Sequence, residues 1–409
     1  MSKRFASALL GWQAIALGLV GVVLVSCAPT EEEPPVESSN PLFVNPSSRD
    51  FSQNPELLER IVESPHGYLR FVNIQFTKEV CRQFEASLSQ YPPFNLHGDA
   101  HLEQYAVTDL GRGLTDFDDS SSGPAVVDLV RFGVSLRLAL EAHGWTDHAD
   151  EAIDAFLMGY RMALTDPTLE APEPVVVGRL QDGFEYDRQK YFEWVEEISD
   201  PVPEEEQAEL LEAMVHYFEN MRAEYPSLDA DFLTVVRVGY LKLGIGSALD
   251  TKYLVQIRGE SEAITDDIVL ELKQVRDLGG IDCVSAGRGS DPYRILVGQS
   301  IAYQPYSMLG YIHFRDKSFW AHAWVDNYRE LDIDRTIGTL EELLEVAYDV
   351  GVQLGLGHPN QYEAPLALQL RREQVRLLDR DEAQIKEVSK ALVEQVERAW
   401  SDFSSRSRS

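Results

Sequence analysis

The residues whose types and spacing suit chemistry lie in the run Asn95-Leu96-His97-Gly98-Asp99-Ala100-His101-Leu102-Glu103-Gln104-Tyr105. Twelve residues after Gln104 comes Asp116-Phe117-Asp118-Asp119. Asp99 beside Gly98 reads as a tight turn that aims a carboxylate into a cleft. Asp116 and Asp118 end a short extended piece, which suits oxygen ligation of Mg²⁺. A carboxylate that accepts a hydroxyl proton, an amide ligand five residues on, and a second carboxylate on the metal make up the constellation used in phosphoryl transfer. Blander readings of the same residues stay open: a hydrogen-bonded turn at Asp99 and a solvated acidic turn at Asp116 to Asp119. His97 and His101 read as structural, because no third metal ligand accompanies them. A metal-dependent phosphoesterase is the rival enzyme reading of Asp99-x-His101, but the further ligands that would hold two ions are not found. No Gly-x-Ser-x-Gly elbow supports a serine hydrolase.

Three stretches of different texture must position these groups. Residues 54–230 read as mainly helical, with Val126 to His143 and Glu204 to Glu224 as helices with apolar positions at helical spacing. Residues 231–330 change to strand period. Thr234 to Leu243 and Thr251 to Arg258 flank the turn Gly244-Ile245-Gly246-Ser247 as a hairpin. Asp267 to Arg276, Arg294 to Tyr303, Gly310 to Arg315 and Ser318 to Asp326 are further candidate strands, and an antiparallel sheet of about five strands is the simple reading. Alternation puts Val269, Glu271, Lys273 and Val275 on one face. Residues 331–409 return to helix, with Thr339 to Leu356 and Ala364 to Trp400 as the elements. His358-Pro359-Asn360 after Gly357 reads as a helix stop, and a Ser/Arg tail is expected to fray. The fold class expected is α+β.

His97-Gly-Asp-x-His101 followed by Asp116-Phe-Asp resembles the catalytic and metal loops of aminoglycoside-phosphotransferase-like kinases. The longer run from Ser64-Pro65 through Arg70, the His97 motif, Asp116-Phe-Asp-Asp, Gly123-Pro124 and Asp128-Leu-Val-Arg131 resembles a bacterial family. It is known as domain of unknown function 2252 and is grouped with the protein-kinase-like fold. Arg237 to Ser247 looks like that family's Gly-rich segment, Leu270-Glu-Leu-Lys273 like its strand lysine, and Arg294 to Gln299 like its next strand. The resemblance implies a circularly permuted kinase plan, with the Gly-rich segment and lysine after the catalytic loop. It makes Asp99 the catalytic base, Gln104 and Asp116 the Mg²⁺ ligands, and Gly244, Gly246 and Lys273 the groups around the phosphates of ATP or another nucleotide. Asp128 would brace the catalytic loop. Gln104 departs from an expected Asn, Gln274 from Glu and Ser307 from Asp. The acceptor, a small molecule or a protein, is not identified. A kinase-shaped binding module without turnover is the alternative.

The chain has 409 residues, of which 44% are hydrophobic and 25% charged, ordinary values for a globular protein. With 36 Lys+Arg against 68 Asp+Glu its formal charge is −32, which argues against a sequence-independent grip on nucleic acid or anionic lipid. Lys3 and Arg4 precede an apolar run, Phe5 to Val25, which ends in Leu24-Val25-Ser26-Cys27 and resembles a bacterial lipoprotein box. Residues 1–26 are then a signal peptide, Cys27 carries lipid, and 27–53, rich in Pro, Glu and Ser, form a disordered tether. A single transmembrane anchor is the alternative. Membrane contact is thus expected through the lipid alone. Ala28 in place of Asp leans toward the outer membrane of a two-membrane cell envelope. Only three Cys are present, too few for a disulfide scaffold. Cys81 and Cys283 are left either paired or as free thiols.

Overall fold

Capping chemistry sets the first helices. Asn54 accepts the Leu57 N–H ahead of α1 (Pro55–Glu63), and Ser64 accepts the Gly67 N–H ahead of α2 (Pro65–Phe71). Each has Pro at its first position, where no N–H is needed. After α3 (Asn73–Gln83) four short strands carry the acidic motifs: β1 (Phe94–Leu96), β2 (Tyr105–Thr108), β3 (Gly111–Leu114) and β4 (Ser121–Gly123). β1 pairs with β4 and β2 with β3, both antiparallel. The structure, a computed structural model, describes residues 39–407 apart from 53, 227–231, 242–249 and 262. Cys27, Gly244 and Gly246 lie outside the described residues.

α4 (Val126–Ala142) is buried from Val126 through Leu140, including Asp128 and Arg131. Such a helix is enclosed on every side, rather than amphipathic. α5 (Ala149–Thr165), α6 (Val175–Gln181) and α7 (Arg188–Glu197) follow. The expected helix Glu204 to Glu224 is two helices, α8 (Glu204–Ala213) and α9 (Val215–Glu224), broken where Met214 buries its side chain under the sheet.

The main sheet joins β5 (Ser199–Pro201), β6 (Val235–Leu241), β7 (Lys252–Ile257), β8 (Ile268–Gln274), β9 (Gly310–Phe314) and β10 (Lys317–Ala323) in the order β5-β6-β7-β8-β10-β9, all antiparallel. It has six strands rather than five, because β5, three residues long, shows no period of its own. Arg294 to Tyr303 is not a strand but α10 (Tyr293–Gly298) followed by a 3₁₀ turn. Its core, Ile295-Leu296-Val297, is too short an apolar run for periodicity to decide. Tertiary contacts settle it as helix. The Arg294 guanidinium donates to the carbonyls of Asp118 and Ser120, and Gly298 sits where a Cβ would stand 2.2 Å from Ser120 Oγ.

The two faces of this sheet differ. On one, Tyr253, Val255, Leu270, Leu272, Phe319 and Ala321 pack on Leu210, Met214, Tyr217 and Phe218, each large side chain contributing roughly 1.5–3 kcal/mol by burial. On the other, Leu254 and Val269 meet Tyr191, Phe192 and Val195 of α7. The same face carries Lys252, Glu271, Lys273, Trp320 and His322 toward a cleft.

Beyond the sheet, β11 (Tyr328–Glu330) returns to pair with β2, and α11 (Ile333–Thr336) follows. Thr339 caps α12 (Leu340–Gly357), which packs along α5. α13 (Leu366–Ser407) runs 42 residues along α4. It does not fray after Trp400, because Phe403 is buried against Phe51, Tyr68 and Phe71. Cys81 of α3 and Cys283 form a disulfide with Cα atoms 5.7 Å apart across 202 residues, tying α3 to the segment after β8. Among the described residues no helix is long and apolar enough to cross a membrane.

Candidate functional site

The His97 loop is held from below. Asp128, fully buried at the start of α4, accepts the N–H groups of His97 and Gly98, each at 2.8 Å. It also accepts His358 Nε2 at 3.1 Å, while Tyr160 Oη lies 2.9 Å from His358 Nδ1. Burial works against the Asp128 charge, but His358, His97 and these donors hold it below its usual range. Gly98 takes φ 81° and lies so close to Asp119 that a Cβ would be 1.9 Å from that carbonyl oxygen, so only glycine fits. Asn73 Nδ2 donates to Gly98 O and to Asp119 Oδ2. His97 Nε2 donates to Thr115 O at 2.8 Å, which leaves Nδ1 to accept the Asp99 N–H. Burial keeps this ring neutral.

Asp99 is one layer back from the surface, 8% exposed, with Arg131 Nε donating to Oδ1 at 2.6 Å. Burial, aided by the charges of Asp119 and Asp116, outweighs Arg131 and raises its carboxyl to about 6. His101 is fully buried 3.8 Å from Asp99 Oδ2, and neither of its ring nitrogens has a hydrogen-bond partner among the described residues.

Asp116 faces the cleft from a left-handed backbone, φ 58°, a conformation in which Asp is among the few common side chains. Lys273 Nζ lies 2.5 Å from both Asp116 Oδ1 and Asp118 Oδ2. Trp320 Nε1 donates to Asp118 Oδ1 at 2.8 Å, and Gln104 Nε2 to Asp116 Oδ2 at 3.3 Å. Burial disfavours the Asp116 charge, but Lys273, with Lys252 and Arg276, holds the carboxyl far below its ordinary value. Asp118 goes the other way, pushed up to about 6 by burial and by Asp116. Lys273 stays charged, its two carboxylates and Glu271 outweighing burial. Lys252, opposite Lys273 in the β7–β8 register, is lowered by burial and by Lys273.

These groups floor a cleft of about 810 Å³, within the range of small-molecule sites. Asp116, Lys252, Lys273, Glu271 and Trp320 line it, together with Trp194 and the linker Trp324 to Asn327. Asp99 and Gln104 are not among the lining residues. The structure therefore brings Asp116, Gln104 and Lys273 together and sets Asp99 behind them, on Arg131. Lys252 and Trp320 were missed in sequence, although strand alternation puts Lys252 on the face of Leu254 and Gln256. His358, read as a stop signal, does cap the end of α12 and is in addition the partner of Asp128.

Among the described residues no three His, Cys, Asp or Glu side chains converge as metal ligands, so an all-protein Zn²⁺ or Ca²⁺ cage does not fit. Mg²⁺ asks less of the protein, one or two carboxylates with substrate phosphates and water completing the shell. Asp116, with the Gln104 amide turned to present its oxygen, fits that lighter demand.

No curated protein matches this chain. No solved structure matches it either. Residues 52–183, which carry the His97 loop, Asp116 and Asp128 but not Lys252 or Lys273, match the family described as "Uncharacterized protein conserved in bacteria (DUF2252)".

Proposed function

We propose that the chain is a kinase-like lipoprotein that transfers a phosphoryl group from a Mg²⁺-bound nucleotide to a hydroxyl, on a permuted protein-kinase-like fold. The observation that carries this is Lys273. It stands on the third strand of the run β6, β7, β8 and reaches across the cleft to Asp116 and Asp118. Protein kinases likewise place a strand lysine after the Gly-rich loop and an aspartate that binds metal opposite it. Asp116 and Gln104 would hold Mg²⁺, which supplies neutralisation of phosphate charge. Lys273 and Lys252 contribute the protein's own positive charge there, and Trp194 and Trp324, stacked with centroids 5.8 Å apart, offer an aromatic wall. Asp99, oriented by Arg131, would take the acceptor's proton as its oxygen bonds to phosphorus and the nucleoside diphosphate leaves. The gain comes from positioning and charge, with no covalent enzyme intermediate. The Cys81–Cys283 disulfide supports an exported, oxidising location, in keeping with lipid at Cys27 and an outer-membrane address.

The second reading, a binding module without turnover, draws on the burial of Asp99 against Arg131. A thermal-shift titration of the purified protein with several nucleotides, with and without Mg²⁺, tests the cleft. A ligand at a hundred times its Kd adds about 2.7 kcal/mol. A Mg²⁺-dependent shift is expected. No shift with any nucleotide, in a protein that melts cooperatively, sinks the kinase reading. Binding without product in a subsequent acceptor screen leaves the module.

A further inference from the structure

The lining of the cleft carries as many cationic as acidic side chains, in a chain with 36 Lys+Arg against 68 Asp+Glu. That local enrichment in cations relative to the whole chain needs a reason, and Lys252 and Lys273 supply only part of it. Three more come from separate elements on the side of α1, α2 and β11: Arg60, Arg70 and Arg329.

Several arginines elsewhere in this acidic chain find carboxylates, and the buried Arg294 and Arg371 give their N–H groups to backbone carbonyls. Arg112 holds Asp349, Arg161 holds Glu382, and Arg315 holds Glu209. Arg60 and Arg329 are exposed and form no ion pair among the described residues; Arg329 gives one N–H to Tyr328 O at 3.2 Å. Arg70 spends Nη1 on Glu103 Oε2 at 2.8 Å and has no other hydrogen bond among the described residues, while its side chain lines the cleft. Glu103, held down to about 2 by His66 and Arg70 against its burial, keeps this guanidinium in place. Arg70 also lies near enough to Glu330 and Asp99 to feel their charge. Glu330, the neighbour of Arg329 on β11, also lines the cleft and is a hydroxyl acceptor.

We infer that this end of the cleft takes the oxyanion, a carboxylate or a phosphate, of a hydroxyl-bearing small molecule, with Arg60, Arg70 and Arg329 on the anion and Glu330 on a hydroxyl. The inference rests on the cleft being the ligand site and names the class of acceptor it would hold. Guanidinium forks match planar and tetrahedral oxyanions better than a lone ammonium does.

The test is calorimetric titration of the full chain with gluconate, glucose 6-phosphate and the neutral glucitol, without nucleotide. Gluconate or glucose 6-phosphate is expected to bind, whichever does so more tightly telling carboxylate from phosphate, and glucitol is expected to bind at least tenfold more weakly. Arg70→Gln also strips Glu103 of its cation, so a double variant at the two exposed positions, Arg60→Gln with Arg329→Gln, runs beside it. That pair should weaken anion binding roughly tenfold, the loss of about one charge-assisted hydrogen bond. Asp116→Asn should abolish any Mg²⁺-nucleotide shift and leave anion binding in place, so the two readings fail separately. Equal binding of glucitol overturns the inference, as does absence of binding by both anions. Loss of binding in Lys252→Gln with none in the arginine pair also overturns it, because the anion would then sit at the lysine end.

Discussion

Two aspartates twelve residues apart have opposite surroundings. Asp128 is fully buried and its carboxylate is committed to two backbone N–H groups and a histidine. Asp116 keeps about a third of its side chain exposed, sits on a left-handed backbone, and meets a lysine and an amide whose bonds a ligand can replace. The first arrangement stores stability. The second keeps charge available, and it is the one that faces the cleft. Asp128→Ala is the strongest way to break this contrast. It orphans two buried N–H groups and His358, and should cost roughly 3–5 kcal/mol, the range for breaking a buried ion pair. Urea melts read it directly. A loss under about 1 kcal/mol would mean that the loop has other support.

Lys273→Met comes next, because it leaves Asp116 and Asp118 facing each other without their cation. Partial exposure of Asp116 discounts the cost below a fully buried pair, to roughly 2–4 kcal/mol at pH 7. The loss should shrink on going to pH 5, where the freed carboxylates take up protons. Melts at the two pH values check both the size and the direction.

The contrast was only half legible in the sequence. The turn at Gly98-Asp99 and the cleft-facing side of β8 follow from local spacing, and the structure puts Glu271 and Lys273 on that side; the brace from Asp128 is implied by the family resemblance alone. What escaped depends on partners far along the chain. His358 meets Asp128 across 230 positions and Trp320 meets Asp118 across 202, and nothing in their own neighbourhoods announces it. The misreading of Arg294 to Tyr303 has the same origin. Without its contacts to Ser120 the run is merely apolar, and a short apolar run suits helix and strand equally. The burial of Asp99 behind Arg131 is a third case, since spacing alone aimed that carboxylate outward.

Asp99 offers a pH signature that sharpens the comparison. Its folded value of about 6 lies above its ordinary 3.8, so the native state binds this proton more tightly than the unfolded chain does. The contribution is full below pH 3.8 and is lost as pH rises through 6. Between pH 5 and 7 the wild type should therefore lose about 1.4 kcal/mol relative to Asp99→Asn. Loss of the Arg131 partner adds only a pH-independent offset, so the slope is what is read. Asp118, raised into the same range, titrates in both proteins and cancels in the difference. Glu103 and Glu271 carry the opposite sign, their contributions being lost as pH falls toward about 2, outside this window. Parallel stability curves for the two proteins would mean that Asp99 is charged throughout, with Arg131 winning over burial.

The smallest expected effect on the fold comes from Asp116→Asn. Asparagine tolerates the left-handed backbone, Lys273 retains Asp118, and removing one carboxylate relieves its repulsion of the other. Stability should change by no more than about 1 kcal/mol in either direction. The same substitution should erase a ligand-linked gain of about 2.7 kcal/mol at a hundred times Kd, if Mg²⁺-nucleotide binds here. A residue that is cheap to the fold and decisive for the ligand is what separates Asp116 from Asp128. The reverse outcome, a large loss of stability with the nucleotide shift retained, would make the Asp116–Lys273 contact a structural strut and move the ligand site elsewhere in the cleft.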